Sequence, residues 1–138
     1  MLRLIMFLCF ITFLFSCQKE DNTTDIPVND MVPMGDMILA GTFSGTPGHT
    51  VKGTIKVFEK DGIKEIRLEG FSATNGPDLK IYLSKELSAS NFISLGSLKS
   101  ISGNQNYSIP GMPDLKEYKY VLVWCEQFTV LFGSALLG

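Results

Sequence analysis

From Ile38 to the end of the chain, apolar and polar side chains alternate in short runs, a period of two that marks half-buried strands rather than helices. Val51, Ile55 and Val57 fall on one face and Lys52, Thr54 and Lys56 on the other, so one face is made for a core and the other for water. The pattern predicts strands at Ile38 to Ser44, Thr50 to Glu59, Ile63 to Gly70, Leu79 to Ser84, Phe92 to Leu98, Gln105 to Ile109, Lys119 to Cys125 and Gln127 to Phe132. Turn-forming residues separate them. Asp61-Gly62 is a strong hairpin signal, and Asn75-Gly76-Pro77-Asp78 and Pro110-Gly111-Met112-Pro113 follow. Only Ser84 to Asn91 has a composition that suits a helical turn. Strands this short between turns this frequent predict an all-β fold: an antiparallel β-sandwich of about eight strands and immunoglobulin size, one domain over residues 38–138.

Two stretches before that domain lack the alternation. Leu4 to Phe15 is an unbroken apolar run behind one cation, Arg3, and is followed by the small Ser16, the make-up of a secretory leader over residues 1–16. The run is shorter than the ~20 residues a helix needs to span a bilayer, so it predicts export rather than anchorage. Gln18 to Met37 is polar, carries Pro27, Pro33 and Gly35, and has no period of either kind. It reads as a flexible tether with a root-mean-square span of roughly 25 Å.

Between leader and tether stands Leu14-Phe15-Ser16-Cys17, which resembles the lipobox of bacterial lipoproteins. The resemblance implies cleavage before Cys17, acylation of that residue with palmitate-like chains, and membrane lipid as a partner. Each buried CH₂ contributes about 0.8 kcal/mol, so several chains on one Cys hold a protein on its membrane. Gln18-Lys19-Glu20-Asp21 is similar to the surface-export signal of some Gram-negative lipoproteins, which implies an outer-membrane protein facing outward. Simple solvation of the anchor explains the same four residues.

Composition narrows the function classes. The 138 residues hold one domain, and 45% hydrophobic against 19% charged residues excludes disorder of the whole chain. The leader carries one cation and no acid, so its removal leaves 11 basic against 14 acidic side chains. The mean hydropathy of +0.18 is owed largely to that leader. A net charge of −2, without any Lys/Arg cluster, lacks the basic footprint that nucleic acid requires.

Candidate chemistry is sparse. His49 is the single His, so a His-rich zinc site is excluded and any Ser-His or Cys-His pair must use it. The glycines at 41, 45 and 48 lead to His49-Thr50 rather than to Gly-Lys-Ser/Thr and into a strand instead of a helix, which removes a phosphate loop. Asp78 and Glu126 are carboxylates with no partner legible in sequence. No catalytic constellation emerges, so an enzyme is not the expectation.

Cys9 leaves with the leader and Cys17 takes lipid, which makes Cys125 the one thiol remaining in a compartment that favours disulfides. Alternation sets Cys125 on the face of Val121 and Val123, with Tyr120, Leu122 and Trp124 opposite. It is a buried, inert small hydrophobe, a thiol paired between chains, or a reactive thiol; Glu126 beside it, with no adjacent cation, favours the inert reading over the reactive one. His49, at a strand entry, is a backbone cap or solvated ring, or alternatively a ligand or proton relay. A haem held by Cys125 and His49 would need both in one pocket, so the cofactor expectation is haem or none.

Together these residues resemble the DM-thirteen domain family, which occurs with DOMON domains in redox-associated proteins. The match includes Gly41-Thr42-Phe43, His49 with Gly53, Leu68-Glu69-Gly70-Phe71, Gly76-Pro77-Asp78-Leu79 and Leu95-Gly96-Ser97-Leu98. It continues through Gly103-Asn104-Gln105-Asn106-Tyr107-Ser108-Ile109-Pro110, Val123-Trp124-Cys125 and Phe128 to Phe132-Gly133-Ser134-Ala135. The resemblance implies a β-rich electron-transfer module, with Cys125 as redox thiol or ligand to a prosthetic group. Larger members carry DOMON or cytochrome domains in the same chain; here the expected electron partner is a separate protein. The competing expectation is a non-catalytic binding or adhesion module displayed on the envelope.

Overall fold

A computed structural model describes residues 23–138. The expected leader, Cys9, Cys17 and the segment Gln18 to Asp21 lie outside the described residues. Among those described, nine strands and no helix form: β1 (Val28–Asn29), β2 (Asp36–Gly45), β3 (Val51–Lys60), β4 (Ile63–Ala73), β5 (Leu79–Ser84), β6 (Phe92–Ser97), β7 (Ser102–Ser108), β8 (Tyr120–Cys125) and β9 (Val130–Leu136). The last strand runs Val130–Leu136 rather than the expected Gln127 to Phe132, because residues 126–129 make the β8–β9 turn, with Thr129 at a positive φ of 55°. Ser84 to Asn91 forms turns rather than helix: the Ser84 hydroxyl donates to the carbonyls of Glu86 and Asn91 at 2.7 and 3.1 Å and closes the loop.

The all-β expectation holds, but the expected sandwich is replaced by one curled sheet. Its order is β1-β7-β4-β3-β2-β9-β8-β5-β6, antiparallel except where β1 meets β7. The reason lies in β2. Its first part pairs with β3 through Thr42, and its last three residues, Phe43 to Gly45, pair with β9. A single strand thus carries the hydrogen bonding across both halves, and the sheet rolls into a half-barrel. One continuous core fills its concave side, with Ile55, Val57, Ile66 and Leu68 from one half and Leu79, Ile81, Leu83, Val121, Val123 and Cys125 from the other. The predicted facing of Val51, Ile55 and Val57 inward is what the burial shows.

The segment read as a tether is docked from Thr24 to Met31. β1 pairs in parallel with Gly103 and Asn104 of β7, and Gly103, at φ 104°, leaves room where a Cβ would strike the Val28 carbonyl. Asp30 binds Lys99 at 2.8 Å and accepts the Asn106 N–H at 2.9 Å, and these two contacts hold its carboxyl below the usual carboxylate range. The buried Arg67 guanidinium donates to the Asp30 carbonyl at 2.9 Å. Polarity hid this strand: its backbone pairing with β7 is reinforced by polar side chains that sequence periodicity reads as loop.

Candidate functional site

The two candidates for chemistry, Cys125 and His49, lie at the same end of the half-barrel. Three connections are laced together there: the β2–β3 turn, the loop before β5 and the β8–β9 turn. The Thr46 N–H donates to the Phe132 carbonyl at 2.9 Å and the Thr74 N–H to the Thr50 carbonyl at 2.8 Å. The Glu126 N–H donates to the Asp78 carbonyl at 2.9 Å. His49 lies flat on Phe132, with centroids 3.8 Å apart and planes 16° apart, and its Nδ1 is enclosed without a hydrogen-bond partner. Gly76 fits against Phe132 with no space for a side chain, because a Cβ there would come within 2.9 Å of the ring.

Cys125 ends β8 in register with Leu79 and Val130. Its side chain is 0% exposed within the apolar core. It is the one free cysteine among the described residues. Its shared face with Val121 and Val123 follows the predicted alternation, and burial shows that this face is the inner one. An axial bond from this sulfur to a haem requires the core to open, and the His49 ring is already held against Phe132. The packing therefore does not fit a haem between these residues. Among the described residues no group of three His, Cys, Asp or Glu side chains converges as a metal site.

The carboxylates that looked unpaired in sequence have partners. Asp78 binds Lys80 at 2.9 Å, and Glu126 accepts the Tyr82 hydroxyl at 3.2 Å. Tyr82 is the residue that sequence reasoning missed. It lies on the outer, convex face of β5, stacked on Phe92 of β6 at 4.0 Å and beside Trp124 of β8 at 6.4 Å. Burial, then the negative charge of Glu126, pushes its phenol up to about 12. The three rings form a row across three strands, from the neighbour of Cys125 to Phe92, which is 41% exposed. Each is an outward position in its own strand; adjacency of β6, β5 and β8 is a tertiary fact that no local pattern carries.

Fold and site define a small all-β module with a buried thiol and a stacked aromatic row. The chain belongs to the DM13 family, whose model, described as "Electron transfer DM13", matches residues 42–137. The match marks the domain as an electron-transfer-related module. No curated protein and no solved structure matches the chain.

Proposed function

We propose that the protein is a lipoprotein of the bacterial outer membrane, acylated at Cys17, whose domain exchanges electrons with a separate redox protein. In this reading Cys125 is the redox sulfur and faces its partner indirectly. The supporting observation is the row Trp124–Tyr82–Phe92, which leads from the residue next to the buried thiol to the surface. The oxidisable rings of Trp124 and Tyr82 divide a long electron jump into shorter ones, with Phe92 packed over Tyr82 at the surface, so a partner docked at Phe92 need not reach the sulfur. The Tyr82 hydroxyl, bonded to Glu126, has an acceptor for its proton if the phenol is oxidised on the way.

The test uses protein purified from its own membrane. Intact mass is expected to show loss of residues 1–16 and fatty acyl chains on Cys17. Electron exchange with the co-purified redox partner is expected to fall in Cys125→Ser and, separately, in Phe92→Ala, which leaves the thiol in place. An unprocessed amino terminus overturns the anchoring. Unchanged exchange in Cys125→Ser overturns the redox role and leaves the displayed binding module as the reading.

A further inference from the structure

At the end opposite Cys125, a cavity of about 660 Å³ opens into the mouth of the half-barrel, a size within the usual range of small-molecule sites. The first residues of β2, the last of β9 and the 113–116 stretch of the β7–β8 connection surround it. Its floor is apolar: Leu137 belongs to the core, and Leu39 and Leu115 pack against it. Its rim is cationic, with Lys64, Lys116 and Lys119. Lys64 is partly satisfied by Glu59 at 3.5 Å. Lys119 rests over the Tyr120 ring at 5.5 Å, and neither it nor Lys116 forms an ion pair among the described residues. Against them stand the Asp114 carboxylate, which already accepts the Lys116 N–H at 2.9 Å, and the Gly138 oxygen, taken by the Ala40 N–H at 3.2 Å.

We propose that this mouth binds a free fatty acid, with the acyl chain on Leu39, Leu115 and Leu137 and the carboxylate between Lys116 and Lys119. An apolar floor alone would accept any hydrocarbon, whereas two ammonium groups without carboxylate partners at its rim select an anionic head. The site lies at the other end of the fold from Cys125 and Phe92, so it goes beyond the electron-transfer reading and does not depend on it.

The experiment is displacement of dansyl-undecanoate from the full chain by dodecanoate, by its methyl ester and by dodecyltrimethylammonium. Dodecanoate is expected to displace the probe with saturation, and the ester and the cation about tenfold less well or worse. The double variant Lys116→Glu/Lys119→Glu is expected to lose about tenfold in affinity for dodecanoate at an unchanged melting temperature. Amide shifts on titration are expected at Leu39, Leu115 and Leu137. Absence of saturable displacement overturns the site. Equal binding of acid, ester and cation, or full affinity in the double variant, overturns the choice of an anionic ligand. Shifts confined to other residues overturn the location.

Discussion

The two ends of the half-barrel solve opposite problems with the same strands. At the Cys125 end, three connections are stitched together by backbone hydrogen bonds, His49 covers Phe132, and the thiol is shut into the core. At the mouth, β2, β9 and β8 remain joined by backbone hydrogen bonds of Ala40 with Gly138 and of Leu137 with Lys119, and beside them opens a cavity lined by leucines and rimmed by lysines. The difference teaches where function can sit without costing the fold. A closed end stores its stability in packing, so a group there is reached only through its neighbours. An open end leaves its side chains exchangeable with a ligand.

The largest effect that tests this contrast is expected from Phe132→Ala. It removes a ring 4% exposed that supports both His49 and the loop at Gly76, and should cost ~3–5 kcal/mol in denaturant unfolding. A smaller loss would mean that the closed end is not closed by this ring. Cys125→Ser places a hydroxyl among apolar side chains and should cost ~1–3 kcal/mol, with Cys125→Ala cheaper, by the same measurement. If Ser is tolerated as well as Ala, the sulfur's surroundings are more polar than the packing shows.

A third effect is read by alkaline titration of tyrosine absorbance. The phenol of Tyr82 is raised to about 12 by burial and by Glu126, above the ordinary unfolded value near 10. Its contribution to stability is therefore complete below pH 10 and lost as pH rises through about 12. Glu126→Gln removes the charge and should bring the phenol partway down, an outcome checked by an earlier absorbance step. Tyr107 also ionises above the usual range, chiefly because burial disfavours its phenolate. The smallest effect belongs to the mouth: Lys116→Glu is expected to shift stability by no more than about 0.5 kcal/mol in thermal unfolding. A large loss there would erase the distinction between the two ends.

Much of this was legible in the residues. Alternation located most of the strands from Ile38 onward and set Cys125 on one face with Val121 and Val123, because a strand's side-chain period is a local property of the backbone; which face turned inward was decided by packing. The same reasoning failed at Val28–Asn29, whose pairing rests on Asp30, Arg67 and Asn106, residues far apart in sequence. It also left Asp78 and Glu126 without the partners, Lys80 and Tyr82, that the fold supplies.

By itself, the sequence determined that this domain is built of strands, which side chains share a face, and that its one thiol lies on the face of Val121 and Val123. Only the tertiary structure decided that β2 would bridge the halves into one curled sheet. It likewise brought Phe92, Tyr82 and Trp124 into a row and left Lys116 and Lys119 around an apolar mouth. The physical reason is range: side-chain alternation is settled between neighbours in the chain, whereas strand order and the contents of each end are settled by hydrogen bonds and packing between segments distant in sequence.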